Sequence, residues 1–228
     1  ALAKSLARLT YAGADTSRDP RLAIIERLTE QEPVSMLPLI QVHLNDFDPQ
    51  IAEAVRVLCN RLVPGGAFTA APRLRRLEQA SLDEVQDLPT TATLVMQNGD
   101  HIELRLLVND APMSVARFVK LARAGYYNGL TFHRIVPNFV IQGGSPGASE
   151  YVGDTRFMRD ELGRVPNVRG AVGISTRGRD TGDAQIFIDL VDLPRLDHDY
   201  TIFAMVGSGM NAVDRVLEGA QIRTVVVK

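Results

Sequence analysis

The chain has 228 residues with 25 Lys and Arg, 27 Asp and Glu, and a formal net charge of −2 at pH 7. A hydrophobic share of 45% and a charged share of 23% exclude a disordered chain, and the length allows one large domain or two small ones. The balanced charge favours neither nucleic acid nor an anionic surface, and no apolar run reaches the roughly 18 residues of a membrane span. We therefore expect neither nucleic acid nor membrane as a partner.

Cysteine and histidine are used sparingly. Cys59 is the only cysteine, which excludes an internal disulfide framework and any zinc site that needs two thiolates. The four histidines lack the close spacing of a metal site; they are His43, His101, His133 and His198. We expect no metal site built from these residues.

The compartment stays open at this stage. No charged-then-apolar signal segment opens the chain. We interpret the first residue, Ala1, as the start of a processed or excised product. Both a cytoplasmic location and a periplasmic or exported one after removal of a signal peptide are compatible with this interpretation.

Residues 1–89 have a helical pattern. Asp48 as N-cap and Pro49 at the first helical position open a helix whose apolar residues are spaced four, three and four apart: Ile51, Val55, Leu58 and Leu62. The same opening occurs at Asp19-Pro20-Arg21-Leu22-Ala23, and Pro33 precedes another periodic run. Repeated starts are typical of a HEAT-like α-solenoid, and a small helical bundle is an equal alternative. We place the boundary of this all-α domain at residue 89, after a linker over 81–89.

From Thr91 the apolar period changes from 3.6 to 2, and Asn98-Gly99 is a strong hairpin signal. Two helices are predicted, over 112–124 and 211–217. Eight strands are predicted over residues 91–97, 101–108, 131–136, 139–142, 171–175, 185–189, 201–206 and 222–227. Eight strands with two helices do not alternate as βαβ units. Residues 90–228 are therefore predicted to form an all-β, closed, antiparallel eight-stranded barrel capped by two helices.

The segment 132–144, FHRIVPNFVIQGG, carries the chemistry. On a pleated strand Phe132 and Arg134 share one side, and the break at Pro137-Asn138 brings Phe139 and Gln142 round to it. The alternative interpretation is a solvated arginine on the outside of the barrel.

This segment resembles the signature of the cyclophilin-type peptidyl-prolyl isomerases. The stretch 170–188, GAVGISTRGRDTGDAQIFI, and the ending Leu196-Asp197 with Tyr200–Phe203 are similar to two further family motifs, in the same order. The resemblance covers about residues 91–228. It implies a cyclophilin-like barrel that accelerates cis-trans isomerisation of X-Pro bonds, without metal or cofactor, in proline-containing peptides and in unfolded or partly folded proteins.

The resemblance also implies site residues. Arg134 takes the catalytic position, and the substrate-binding positions are Phe139, Gln142, Thr176, Gln185, Phe187, Leu196 and Tyr200. Among these, Phe139, Phe187 and Leu196 match the apolar pocket for proline, and Gln142 matches the glutamine that orients the arginine. Thr176 stands where the family commonly has asparagine, and Tyr200 where it often has histidine.

Some positions depart from the family pattern. Arg195 stands where many eukaryotic members carry tryptophan, and the loop 176–183 is unusually charged. The alternative function is therefore a catalytically weak scaffold that binds proline peptides. For residues 1–89 the two hypotheses are a module that binds a protein partner and a merely structural arm.

Overall fold

The computed structural model describes residues 1–12, 17–31, 34–73, 80–150, 152–154 and 156–228. The chain divides into two compact units, Ala1–Arg76 and Leu77–Lys228. The boundary therefore precedes the predicted linker, and residues 81–89 are grouped with the second unit. Among the described residues, no helix combines the length and the apolar character that a membrane span requires.

The described secondary structure of the first unit consists of helices. Its α-helices are α1 (Leu2–Ala12), α2 (Arg18–Gln31), α3 (Leu37–Ile40) and α4 (Pro49–Leu62), with 3₁₀ turns at Val34–Met36 and Gln41–Asn45. The core contains the whole predicted stripe of α4 together with residues from α1, α2 and α3: Leu6, Ile25, Leu28 and Ile40.

The predicted helix starts differ in their outcome. The Asp48 side chain accepts a hydrogen bond from the Gln50 amide at 2.9 Å, so the predicted N-cap of α4 is confirmed. At the second start the helix begins at Arg18, which places Asp19 inside the first turn instead of at the cap. The predicted start at Pro33 lies outside the described residues, and the run after it forms only short helical segments.

A buried charge network lies inside the first unit. The fully buried Arg21 donates from Nη1 to both carboxylate oxygens of Asp46, at 2.8 and 2.9 Å. Arg18 pairs with Asp48, and the Arg21 guanidinium lies 4.5 Å from the centre of the Phe47 ring. Because both charges of each pair are removed from water, the loss of one partner leaves the other unpaired at high cost. This network joins α2 to the start of α4.

Removal of the central arginine is expected to destabilise the first unit. We expect Arg21→Met to lower the free energy of unfolding of this unit by about 3–5 kcal/mol, because the buried Asp46 carboxylate loses both hydrogen bonds from its arginine partner. Arg27→Met, in an exposed pair with Glu30 on the same helix, should change it by less than ~0.5 kcal/mol. Hydrogen exchange of the α2 and α4 amides in the full chain measures both values. Equal effects of the two substitutions would contradict the prediction.

The second unit contains all eight strands. They are β1 (Thr91–Met96), β2 (His101–Leu106), β3 (Thr131–Ile135), β4 (Val140–Ser145), β5 (Ala171–Ile174), β6 (Ile186–Asp189), β7 (Ile202–Ser208) and β8 (Ala220–Val227). Every neighbouring pair is antiparallel, and the sheet closes in the order β1-β2-β7-β5-β6-β4-β3-β8. The predicted fold class, a closed eight-stranded barrel with helices before it, is confirmed.

Two helices complete the barrel, as predicted. Helix α6 (Pro112–Arg123) contacts β7 and β8 and buries its predicted apolar face, including Phe118, in the main core. Helix α7 (Met210–Asp214) contacts β2 and is shorter than predicted. Its N-cap is Gly209, whose φ of +89° suits a residue without a side chain. A short helix, α5 (Leu82–Val85), precedes the barrel and begins with a capping box between Ser81 and Glu84.

The pleat of the strands gives the barrel two separate apolar clusters. Ile141, Ile186 and Ile188 belong to the main core inside the barrel. Their neighbours Val140 and Phe187 belong to a second cluster. We call this second group the outer cluster; it contains Leu107, Val140, Ala171, Phe187, Leu193, Leu196 and Ile202, with Phe139, Val165, Val191, Tyr200 and Met205 packed against it. Successive side chains point to opposite faces of a strand, so one sheet supports both clusters.

Candidate active site on the outer face of the barrel

A tight turn and a bulge position Arg134. The chain reverses between β3 and β4 at Pro137-Asn138, where the Phe139 amide donates to the Val136 carbonyl at 3.1 Å. Asn138 has a φ of +56°, which asparagine tolerates better than most residues. In β3, Phe132 pairs with Gly143 and Arg134 pairs with Gln142, so His133 is the extra residue of a register shift. The shift changes which face the following side chain occupies.

This bulge corrects one sequence prediction. We predicted that Phe132 and Arg134 lie on the same side of the strand, as in a regular pleat. Phe132 is instead fully buried in the main core, whereas the Arg134 side chain is 38% exposed. The extra residue turns Arg134 to the face that carries Gln142 and Phe187.

Arg134 is held by two partners. Its Nη1 donates to Gln142 Oε1 at 3.2 Å, and its Nε lies 3.7 Å from a carboxylate oxygen of Glu150. The guanidinium carbon lies 6.0 Å from the centre of the Phe139 ring. Because the pair with Glu150 is partly exposed, its contribution to stability is small, on the order of 1 kcal/mol or less. These contacts orient the guanidinium while part of it faces solvent.

A chain of amide groups fixes Gln142. Its Nε2 donates to Ser175 Oγ at 2.9 Å and to Gln185 Oε1 at 3.1 Å. Gln185 in turn donates from Nε2 to the carbonyls of Glu150 and Val152, at 3.3 and 3.2 Å. Both glutamines are buried, so each amide needs these partners. The direction of donation leaves Oε1 of Gln142 as the acceptor for Arg134.

The outer cluster supplies an apolar surface beside Arg134. Phe187 and Tyr200 make an edge-to-face contact, with ring centres 5.5 Å apart and an angle of 85°. Leu196, on the 3₁₀ turn Pro194–Leu196, is buried in the same cluster, and Phe139 is half-buried against it. Gly173 makes room for Phe187, because a Cβ at this position would lie 2.2 Å from Cζ of the ring.

The structure brings together seven of the eight residues that the sequence singled out: Arg134, Phe139, Gln142, Gln185, Phe187, Leu196 and Tyr200. Thr176 follows β5 and is half-buried; among the described residues its side chain makes no hydrogen bond to Arg134 or Gln142. The sequence analysis did not predict Ser175 and Glu150 as partners of these residues. Glu150 lies in a loop with no periodic pattern, so nothing in the amino-acid pattern predicts its contact with Arg134.

Two buried carboxyl groups lie close to this site. Burial raises the pKa of Asp183 to about 6. Oδ1 of Asp183 accepts a hydrogen bond from the backbone amide of Gln185 at 2.8 Å. Burial, with the nearby Asp197 carboxylate as a second cause, raises the pKa of Asp189 to about 7. Asp189 is two residues beyond Phe187 on β6, and neither of its side-chain oxygens has a hydrogen-bond partner among the described residues. Nowhere in those residues do three or more His, Cys, Asp or Glu side chains gather as metal ligands would.

The second unit is similar to proteins of one known family. Residues 91–227 match the family described as Cyclophilin type peptidyl-prolyl cis-trans isomerase/CLD. A Helicobacter pylori peptidyl-prolyl cis-trans isomerase is 39% identical over 62% of this chain and 90% of its own length. Peptidyl-prolyl cis-trans isomerase B of Bacillus subtilis is 36% identical over 60% of this chain and 98% of its own.

A solved structure matches the fold. The crystal structure of a Cryptosporidium parvum cyclophilin type peptidyl-prolyl cis-trans isomerase in the presence of the dipeptide Ala-Pro has a TM-score of 0.57 and 23% identity. The match covers 60% of this chain and 98% of the other. The second unit is therefore a cyclophilin-like barrel. The chain belongs to the cyclophilin-type peptidyl-prolyl cis-trans isomerase family, and its enzyme class is peptidyl-prolyl cis-trans isomerase.

Asp189 is expected to make the stability of the barrel depend on pH. In the unfolded chain its carboxyl group loses the proton near pH 3.9, whereas in the fold it does so near pH 7. Between these values the folded state binds the additional proton, so the free energy of unfolding falls as the pH rises from about 4 to 7. We expect Asp189→Asn, which does not titrate, to be more stable than the parent at pH 8 by about 1–3 kcal/mol.

Urea unfolding at pH 5 and pH 8 measures this difference. The matched control is Asp199→Asn, an exposed residue on the loop before β7, which should keep the pH dependence of the parent. An unchanged pH dependence in Asp189→Asn would show that this carboxyl group ionises normally in the fold.

Proposed function

We propose that the second unit isomerises X-Pro bonds by binding the proline ring on the outer cluster and stabilising the twisted amide with Arg134. Phe139, Phe187, Leu196 and Tyr200 form the apolar surface for the ring. Arg134 donates a hydrogen bond to the prolyl nitrogen, which becomes an acceptor when the amide twists. Gln142 orients Arg134, and Gln185 lines the adjoining groove. Substrates are proline-containing peptides and unfolded or partly folded proteins, and Thr176 contacts them through its backbone.

The energy that this mechanism requires is modest. Amide resonance imposes a barrier of about 18–20 kcal/mol on rotation of the peptide bond. Each tenfold acceleration needs about 1.4 kcal/mol, so a ten-thousandfold acceleration needs roughly 5–6 kcal/mol. One well-oriented guanidinium and the exclusion of water from the ring supply energies of this size. The reaction forms no covalent intermediate, so the site needs no nucleophile.

The observation that carries the proposal is the hydrogen bond from Arg134 Nη1 to Gln142 Oε1, 3.2 Å long, beside an apolar cluster. Gln142 is itself fixed by Ser175 and Gln185, so the guanidinium is oriented before substrate binds. A group that is already oriented stabilises a transition state without the cost of reorganisation. A freely solvated arginine would lack this second layer of contacts.

We also propose that the first unit, as a HEAT-like module, binds a protein partner such as an unfolded client. Support comes from exposed apolar side chains between α2 and α4. Val34, Leu39 and Val42 are 56%, 50% and 59% exposed. Such side chains gain free energy when a partner covers them.

The catalytic role of Arg134 has a direct test. We expect Arg134→Ala to lower kcat/KM for an Ala-Pro-Phe peptide by at least ~100-fold, because the twisted amide loses its donor. Arg134→Lys should also be impaired, since lysine keeps the charge and lacks the planar fork. Exchange NMR measures the cis-to-trans rate without a coupling protease.

The matched control is Arg215→Ala, which removes an exposed arginine paired with Asp100. It should retain the parent's rate, and thermal unfolding checks that all variants fold. An Arg134→Ala variant as active as the parent would refute the mechanism. Binding of the peptide without acceleration by the parent would instead select the scaffold function.

The partner-binding role of the first unit is tested with the full chain. We expect Leu39→Glu/Val42→Glu to keep the parent's rate on the peptide and to lose at least about threefold in kcat/KM on a protein whose refolding is limited by prolyl isomerisation. A loss of ~1 kcal/mol of contact corresponds to roughly fivefold. Val57→Glu, at a 50% exposed residue of α4, is the control. Equal rates on the refolding protein for the double variant and the control would favour a structural arm.

A further inference from the structure

A second arginine lies over the aromatic ring at the edge of the outer cluster. The guanidinium carbon of Arg195 is 4.7 Å from the centre of the Phe139 ring, closer than that of Arg134 at 6.0 Å. Arg195 lies on the 3₁₀ turn that also carries the buried Leu196, and its own side chain is exposed. Stacking on an aromatic face restrains a guanidinium and leaves its N–H donors at the rim available.

The charges around Arg195 leave it without an acidic partner. No Asp or Glu among the described residues lies within ion-pair distance of its guanidinium. On the same loop, Asp192 accepts a hydrogen bond from the Arg169 backbone amide at 2.8 Å and Asp197 accepts one from the Asn167 backbone amide at 2.7 Å, and neither carboxylate forms an ion pair with Arg195. Asp199, on this loop too, is exposed and makes no ion pair with it.

The other arginines near the site are already paired. Glu150 lies 3.7 Å from both Arg134 and Arg177, so one carboxylate partly neutralises these two side chains. The two guanidinium groups against the Phe139 ring, those of Arg134 and Arg195, thus differ: Arg134 shares Glu150 with Arg177, and Arg195 forms no ion pair among the described residues. A complementary ligand at this position carries a negative charge.

We propose that Arg195 binds a carboxylate of the substrate and directs the enzyme to X-Pro segments with Asp or Glu within two residues of the proline. The inference rests on the proposed function, because it takes the outer cluster as the place where the proline ring binds. Arg195 is a specificity-determining residue in this account and takes no part in the twisting of the amide. The planar fork of the guanidinium matches the two oxygens of a carboxylate.

The size of the effect follows from the exposure of Arg195. An exposed charge pair contributes about 0.2–1 kcal/mol, which corresponds to a preference of roughly 1.5- to fivefold. Salt should weaken this preference for an acidic peptide, because the Debye length falls from about 10 Å at 0.1 M to about 3 Å at 1 M salt.

Two pairs of capped peptides test the proposal, Ala-Glu-Ala-Pro-Phe against Ala-Gln-Ala-Pro-Phe and Ala-Ala-Pro-Glu-Phe against Ala-Ala-Pro-Gln-Phe. Exchange NMR gives kcat/KM for each peptide, and chemical-shift titration of the protein gives Kd independently of catalysis. For the parent at low salt, we expect kcat/KM for at least one glutamate peptide to exceed that for its glutamine counterpart by about threefold. In Arg195→Gln this ratio should fall to about one, whereas Arg195→Lys should retain part of it.

The control variant is Arg223→Gln, which removes the same charge from an exposed residue of β8. It should keep the preference of the parent. The proposal would be overturned if the parent had equal kcat/KM values for both peptides of each pair. It would also be overturned if Arg195→Gln kept the preference for glutamate. If the proposed function itself is wrong, the parent will accelerate isomerisation of none of the four peptides. The ratio of the Kd values for glutamate and glutamine peptides would then still test the role of Arg195.

Discussion

The site depends on one constraint, that a buried amide must have hydrogen-bond partners for both its oxygen and its nitrogen. Gln142 lies on a barrel strand with its side chain buried, and its nitrogen donates to Ser175 and Gln185. Among the described side chains, the donor to its oxygen is Arg134. An unsatisfied buried amide costs about 1–3 kcal/mol, so the fold itself favours this orientation of the arginine.

The barrel also explains why an apolar surface lies beside that arginine. Ile186 and Ile188 fill the interior, so the residue between them, Phe187, must lie on the opposite face. The absence of a side chain at Gly173 gives the ring its place. The same strands thus stabilise the fold on one face and present the outer cluster on the other. In the proposed mechanism, catalysis of prolyl isomerisation needs little more than such a surface and one oriented donor.

The sequence predicted most of the fold because period-2 patterning marks strands with one buried face. All eight strands and both capping helices were predicted. Seven of the residues that the resemblance implied lie in one region of the structure. The side of Arg134 was predicted wrongly, because a bulge at His133 leaves no mark in the apolar pattern. Glu150 was missed since its contact with Arg134 depends on how a loop closes over Gln185. The HEAT-like character of the first unit stays a prediction.

A crystal structure of the protein with a bound Ala-Pro peptide tests the central claim most directly. The account predicts the proline ring against Phe139, Phe187 and Leu196, with an Arg134 nitrogen within about 3.2 Å of the prolyl nitrogen or the preceding carbonyl oxygen. The Arg134–Gln142 hydrogen bond should be retained in the complex. A peptide bound away from the outer cluster, or an Arg134 side chain that remains on Glu150 and makes no contact with the prolyl bond, would contradict it.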